Sequence, residues 1–224
     1  KQGSLDLLTE IWVGNVTSSS ASKTVTLGYN AIAGHSICFV AEYSGLSTTV
    51  DKTASWEAEI GGKLETGVTA TTTFANELWF GGACINMSTY SSNPTNGFII
   101  LDYDSITGFF SHVVEKISST ISTASCETET NYWYNVSRVG CIVTMRAKEV
   151  TITGITRDMY ANILGNCTVI AFKTSNNEFY GSTVSDANGN YSINVLSGDT
   201  YFVTSFKSGI QDVSGITLNT IVGV

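Results

Sequence analysis

The stretch Thr183–Val195 constrains the fold of this chain more than any other part of the sequence. Its second half alternates apolar with polar residues, in the order Tyr191, Ser192, Ile193, Asn194 and Val195. A period of two is typical of a strand with one buried face. Just before it, Asn188-Gly189 is typical of a two-residue hairpin turn, because both residue types accept positive φ angles. The stretch therefore predicts two strands paired as a hairpin.

A second turn, Ser197–Asp199, introduces another alternating run. There we expect Tyr201, Val203 and Ser205 to share one face of a strand, with the intervening residues on the other face.

Runs of β-branched and aromatic residues recur along the rest of the chain, and Gly, Ser and Asn separate them. They predict strands at Thr24–Leu27, Ile37–Tyr43, Glu77–Ile85, Gly97–Leu101, Val113–Ile117, Tyr132–Val136 and Cys141–Ala147. Helical patterns are nearly absent. Many short strands at this spacing predict an all-β chain made of sandwiches rather than a parallel sheet with helices.

A chain of 224 residues favours two domains. One series of strands ends at Ala147, and Ile152-Thr153-Gly154 opens a new pattern. We therefore predict a β-sandwich over residues 1–150 and a smaller one over 151–224, joined without a flexible linker.

The second of these segments resembles the prealbumin-like, or carboxypeptidase regulatory-like, domain. Gly165–Lys173 is similar to a core strand of that family, and Asp186–Asn190 to its characteristic turn. The tail Lys207–Ile221 is similar to the ending of such modules in tailed-phage virion proteins. The resemblance implies a small Ig-like β-sandwich that works as a spacer or an adhesive unit.

The first segment resembles a jelly-roll or lectin-like β-sandwich of phage virion and prokaryotic surface proteins, over about residues 8–148. The similarity rests on Phe39–Leu46, Asp51–Ala54, Thr71–Gly81 and the closing Met145–Lys148. That family has further strands upstream of the segment matching Glu10–Val13. The resemblance thus implies a sandwich incomplete at its N-terminus, with an edge open to an upstream strand or a neighbouring subunit.

The composition argues against several partners. Only 13% of the residues are charged, and the formal net charge is -8. Such a surface repels the phosphate backbone of nucleic acid and anionic lipid. No apolar run approaches the roughly 20 residues that span a bilayer, so we expect no membrane insertion. A surface rich in hydroxyl and amide groups is typical of virion and extracellular β proteins.

The five cysteines form no metal or redox motif. Cys38, Cys84, Cys141 and Cys167 lie in apolar runs and are expected to be buried thiols. Cys126 lies in a polar stretch, and it is the cysteine we expect to be paired or reactive.

No catalytic motif stands out, and the chain is predicted not to be an enzyme and to need no cofactor. His35 and His112 are unconnected in sequence, and we expect each to be structural. Asp102 and Asp104 share one face of a strand, which does not by itself make a catalytic pair. The turn Asp186–Asn190 is similar to half a calcium loop but lacks the closing Glu, so no metal is predicted.

Aromatic residues and sequons provide the remaining candidate sites. The candidates for contact with glycans are Trp56, Tyr132, Trp133 and Tyr134. The alternative for Trp133 and for Trp79 is burial in the core of the sandwich. We expect burial for Trp79, which lies between Leu78 and Phe80, and leave both roles open for Trp56. N-glycosylation, in a secreted protein only, would fall on Asn15, Asn86, Asn135, Asn166 and Asn190.

The leading functional prediction is a non-enzymatic structural protein of a virion. It would be a tailed-phage capsid decoration or head-fibre protein, or a tail-fibre component, binding copies of itself, neighbouring subunits and possible host glycans. The first alternative is a secreted archaeal or bacterial filament subunit or adhesin assembled by strand donation. The second is a carbohydrate-binding module.

Overall fold

The computed structural model describes residues 2–3, 7–16, 24–28, 34–59, 61–87, 91–130, 135–209, 213–216 and 221–222. Over these residues the chain is all-β, with antiparallel strands and no helix. It divides into two compact units, Lys1–Arg146 and Ala147–Val224.

The strands of the first unit are β1 (Gln2–Gly3), β2 (Leu8–Thr9), β3 (Leu46–Ala58), β4 (Lys63–Glu65), β5 (Glu77–Ile85), β6 (Ser91–Ser92), β7 (Ile99–Ile106), β8 (Phe109–Ser118), β9 (Glu127–Thr130) and β10 (Arg138–Ala147). The described residues place five of them in one antiparallel sheet, in the order β3-β10-β5-β8-β7. A second sheet has the order β4-β9-β6. The sequence predicted the central strands β5, β8 and β10 within a few residues.

The core of the first unit lies where the two sheets face each other. Leu64 of β4 packs against Ala83, Ile85 and Phe110 of the larger sheet. Beside them lies a second cluster of buried side chains, comprising Trp79, Phe98, Val114, Ala124, Cys126 and Ile142. Trp79 is only 1% exposed. The expectation of a buried Trp79 is confirmed.

Glycines let the two sheets approach closely. A side chain at Gly140 of β10 would overlap the carbonyl oxygen of Glu65, and one at Gly81 would lie 2.8 Å from the Thr66 methyl group. The backbone of β4 therefore occupies the space that side chains would take up elsewhere on the sheet.

Buried threonines extend the smaller sheet beyond its strands. The N–H groups of Thr66, Thr69 and Thr72 each donate to a carbonyl in the segment 122–126, at 3.0 Å. The Thr69 hydroxyl oxygen in turn accepts from the N–H of Ala124 at 2.9 Å, and the Thr66 hydroxyl accepts from that of Cys126 at 3.0 Å. The backbone N–H and the side-chain hydroxyl of these threonines thus make the hydrogen bonds that a neighbouring strand would otherwise make. The buried backbone of the segment 122–126 therefore keeps its hydrogen-bond partners.

Residues before β3, and the first residue of β3, contact the other face of the five-stranded sheet. Ile11 and Leu46 pack against the cluster of Leu78, Val143 and Met145. The Tyr43 hydroxyl donates to Glu115 at 2.5 Å.

The predicted strands Thr24–Leu27 and Ile37–Tyr43 are wrong, since neither forms a strand. Val25 is 61% exposed and Val40 is 68% exposed. Their β-branched residues fit a pleated surface, but no described strand lies alongside to pair with them.

The strands of the second unit are β11 (Glu149–Ile155), β12 (Thr168–Lys173), β13 (Phe179–Val184), β14 (Asn190–Leu196), β15 (Thr200–Lys207), β16 (Val213–Ile216) and β17 (Ile221–Val222). Among the described residues, β11 pairs with β14, and a second sheet has the order β13-β12-β15-β16, with β17 also on β15. The core between them comprises Ile152, Val169, Ala171, Ile193, Val195, Tyr201 and Val203. This burial confirms the predicted faces of β14 and β15.

The predicted hairpin at Asn188-Gly189 is wrong. The strands on either side of the turn, β13 and β14, belong to different sheets. Only Gly189 has a positive φ, of 77°, so the turn is not the two-residue type. Instead, the Asp186 carboxylate accepts the N–H groups of Asn188 and Asn190, each at 2.8 Å. An Asp-organised turn carries the chain from one sheet to the other.

The same turn occurs a second time, at Asp158–Asn162. Its Asp158 carboxylate accepts the N–H of Tyr160 at 2.9 Å and that of Asn162 at 2.8 Å. The position of Gly189 is taken by Ala161, at φ 65°. These hydrogen bonds favour the ionised carboxylate and lower the pKa of Asp158, led by the bond from the Asn162 side chain.

Candidate interaction surfaces

Of the predicted glycan-contact residues, Trp56 alone lies within the part of the chain that the structure describes. Trp56 is half-buried on β3. Tyr132, Trp133 and Tyr134 lie outside the described residues. Among the described tryptophans the most exposed is Trp12, at 84%, and its ring N–H donates to Glu10 at 3.1 Å. Among described residues, glycan contact through tryptophan is therefore most accessible at Trp12.

The candidate glycosylation sites differ in exposure. Asn86 is half-buried, whereas the exposed ones are Asn15, Asn135, Asn166 and Asn190. The amide of Asn190 donates to the Asp186 carboxylate at 3.1 Å. A sugar on Asn190 would replace one of the two hydrogens on that nitrogen, directly beside the turn.

The cysteines are all unpaired, and two expectations about them are wrong. Cys126 is buried, because its side chain points into the core while its polar neighbours point outward. Burial raises the pKa of its thiol to about 11, which makes it unreactive rather than reactive. Cys38 is exposed, because the strand expected to bury it does not form.

A carboxylate cluster lies between β3 and the start of β5, across β10. Asp51 accepts from the Lys52 ammonium at 2.7 Å and from the N–H of Thr73 at 2.6 Å. These bonds outweigh its desolvation and lower the pKa of Asp51 to about 2. Glu77 is 1% exposed and accepts from the Trp79 ring at 3.3 Å. Desolvation, followed by the charge of Asp51, raises the pKa of Glu77. The cluster joins β3 to the segment before β5.

The two histidines and the Asp pair of β7 make contacts within the fold. His112 is 1% exposed, and burial lowers its pKa to about 4, so its ring is neutral at pH 7. His35 lies against Phe109, with ring centroids 5.3 Å apart. Asp102 and Asp104 are exposed, and each accepts the N–H of the residue that follows it, at 2.8 Å.

The second unit also has an exposed apolar loop that the sequence analysis did not predict. Its side chains are Ile155, Met159, Tyr160 and Ile163, with exposures of 48, 86, 76 and 52%. We call these four residues the apolar loop. Their spacing of i, i+4, i+5 and i+8 matches one face of a helix. No helix forms there, so the spacing does not mark them as an exposed loop.

Hydrogen bonds hold the apolar loop in place. Arg157 and Ile163 form a bridge across its base. The Arg157 guanidinium donates to the carbonyl of Ala161 at 2.8 Å. The buried Thr156 anchors the loop to the neighbouring turn, with its N–H 2.8 Å from the Gly189 oxygen. The loop is therefore arranged before any partner arrives, which lowers the entropic cost of binding.

A shallow groove of about 440 Å³ adjoins the loop through Ile155. It is lined by Thr153, Gly154, Ile155, Asn190, Tyr191 and Ser192.

The described residues contain neither a cluster of metal-binding side chains nor a helix that is long and apolar enough to cross a membrane. Comparison with known proteins found no matching family, no matching curated sequence and no matching solved structure.

Proposed function

We propose that this chain is a non-enzymatic structural protein of a virion, which works by contact with neighbouring subunits. The prealbumin-like and jelly-roll or lectin-like resemblances direct the proposal to tailed phages, as a capsid decoration, head-fibre or tail-fibre component. The observation that carries it is the apolar loop. Met159 and Tyr160 contribute little to the core, yet a dedicated set of hydrogen bonds fixes the loop that exposes them. Tyr and Met are enriched at protein interfaces.

The cysteines favour assembly inside a cell over secretion. All five are free thiols. Burial raises the pKa of Cys84 and Cys141 to about 11 and so protects them from oxidation. Secreted proteins generally pair their cysteines, whereas the reducing cytoplasm keeps thiols free. A virion component assembles in that compartment.

The secreted filament subunit or adhesin remains the second candidate, and the exposed sequons favour it. Asn15, Asn135 and Asn166 are accessible to a glycosyltransferase. Non-reducing intact mass of the protein from its native source separates the two. An unmodified polypeptide with free thiols supports the virion proposal, and added sugar mass with disulfides supports secretion.

Quantitative mass spectrometry of purified particles tests the proposal directly. We expect the chain in stoichiometric amounts with the other structural proteins, and its absence from particles would refute the proposal. A Met159→Ser, Tyr160→Ser variant should be lost from particles while remaining folded. Ile117→Ser is the matched control, because Ile117 is 81% exposed but belongs to the first unit.

A further inference from the structure

Bulges, charges and side-chain hydrogen bonds protect several free edges of the sheets, and the free edge of β11 has little such protection. The edge strand β7 has a bulge between Ile100 and Asp102. The carboxylates of Asp102 and Asp104 also accept the N–H groups that follow them. Bulges and charged side chains on an edge prevent pairing with another chain. The edge strand β13 has a register shift as well, opposite Ala171 and Phe172.

In the second unit, side chains cap β14 at both ends of its free edge. The N–H of Asn190 donates to Asp186 at 2.8 Å. The N–H of Leu196 donates to the Tyr201 hydroxyl at 3.0 Å. Both groups point away from β11, so two of the donors that another chain would need are already engaged.

The free edge of β11 has no such caps. The ladder to β14 is flanked by hydrogen bonds from Thr156 N to Gly189 O and from Ser197 N to Lys148 O, both 2.8 Å. Antiparallel pairs alternate, so the even-numbered residues of β11 bond to β14 and the odd-numbered ones face outward. The outward N–H and C=O groups belong to Glu149, Thr151, Thr153 and Ile155. None of them has a partner among the described residues.

The strand itself has few of the features that protect a free edge from pairing. Its seven residues run without a bulge, without Pro and without Lys, and Glu149 is its only charged residue. Val, Ile and Thr make up most of the rest, and these residue types favour strands. Proteins generally protect such an edge unless another chain covers it.

We propose that β11 pairs antiparallel with β11 of a second copy of this chain, across a two-fold axis at Ile152. This dimer would be the contact between copies of the chain in the proposed assembly, and in that respect the inference rests on the proposed function. The two β11–β14 sheets become one continuous sheet of four strands. Because the interface uses the same surface on both copies, it closes as a dimer.

The register at Ile152 follows from the outward groups and from the charges. Only odd-numbered residues can bond across the edge, and the register centred on Ile152 is the one that pairs all four of them. In it, Thr151 lies opposite Thr153 of the second copy, and Glu149 lies opposite Ile155. Like charges never face each other, and the Thr pairs add favourable cross-strand contacts. On the inner face, the two copies of Ile152 meet beside their cores. A strand–strand contact alone is small, so we expect a weak dimer unless the particle adds further contacts.

Proline substitution tests the edge with a matched control. Thr153→Pro removes one outward N–H from each copy and leaves the bonds to β14 intact. Ser192→Pro removes an outward N–H from the other strand of the same sheet. By analytical ultracentrifugation of the full chain, we expect the wild type to dimerise with increasing concentration. Thr153→Pro should weaken the dimer about tenfold or more, and Ser192→Pro should leave it unchanged. Wild-type protein that stays monomeric, or a Thr153→Pro protein that dimerises as well as Ser192→Pro, overturns the inference.

Disulfide cross-linking tests the register without relying on a disruptive variant. In a Cys38→Ser background, Thr151→Cys protein is mixed with Thr153→Cys protein and oxidised. Directly opposed residues lie within disulfide range, so the mixture should cross-link much faster than either protein alone. Equal rates overturn the register. If the protein dimerises through β11 but is absent from particles, the virion proposal is refuted and the dimer stands. If the protein is present in particles but fails both the proline and the cross-linking test, the dimer is refuted and the virion proposal stands.

Discussion

The hydroxyl of Tyr201 should contribute substantially to the stability of the second unit. Tyr201 begins the buried face of β15 and is 0% exposed. Its oxygen accepts the N–H of Leu196 at 3.0 Å. That N–H points away from β11, and the hydroxyl is the partner that the described residues provide for it. The ring itself packs edge-on against Tyr180, with centroids 5.3 Å apart.

Tyr201→Phe keeps the ring and removes only the oxygen. The hydrophobic contribution is therefore preserved, and the change leaves a backbone donor without its partner. Losing one partner of a buried hydrogen bond costs about 1–3 kcal/mol. For a domain of this size, each kcal/mol lowers Tm by roughly 4–8 °C. We expect the transition of the second unit to fall by roughly 5–20 °C.

Differential scanning calorimetry of the full chain measures this change, with Tyr180→Phe as the control. Tyr180 is half-buried in the same cluster, and its hydroxyl has no hydrogen bond among the described residues. The control should therefore change stability by less than about 0.5 kcal/mol. Equal effects of the two substitutions would refute the role of the Leu196 bond.

The same hydroxyl predicts a dependence on alkaline pH. Burial raises the pKa of Tyr201 from 10.0 to about 12. Because the folded-state pKa is the higher one, the stabilisation is complete below pH 10 and is lost as the pH rises towards 12. The wild type should lose stability across that range, and Tyr201→Phe should lose less. A slope identical in both proteins would contradict the assignment. Burial also raises the pKa of Tyr180 and Tyr191, so part of the slope remains in the variant.

Two further predictions concern backbone positions. Gly140→Ala should destabilise the first unit by several kcal/mol or prevent its folding, because the methyl group overlaps the Glu65 carbonyl. Gly82→Ala is its control in urea denaturation, since the nearest atom to a methyl group there is 3.7 Å away. Ala161→Gly should stabilise the second unit by up to about 1 kcal/mol, because glycine adopts φ 65° without the strain that alanine carries. A lower Tm for this variant would refute that account.

Sequence patterns predicted best where burial alone determines the pattern. The central strands β5, β8 and β10 are apolar runs with a neighbour on each side, so their sequence and their environment agree. The period of two in β14 also predicted its buried face correctly. All of these are local properties of a run of residues.

Pairing between strands could not be read in the same way. Ile37–Tyr43 has a strand-like sequence, but a strand forms only where a partner lies beside it. Asn188-Gly189 has the composition of a hairpin turn, but the Asp186 carboxylate organises a different turn. The exposure of Met159 and Tyr160 depends on the hydrogen bonds of Asp158 and Thr156, which no spacing predicts.

The free edges of the sheets differ in how readily they could pair with a second chain. In the first unit, the edge strand β7 carries Asp102, Asp104 and a bulge, which oppose pairing with a second chain. The opposite edge strand, β3, carries Asp51, Lys52 and Glu57, and charges of this kind oppose pairing with a second chain. The edge with little such protection is β11, in the unit whose resemblance is to spacer and adhesive modules. If copies of this chain pair through a strand, the physical chemistry of the edges places that contact in the second unit.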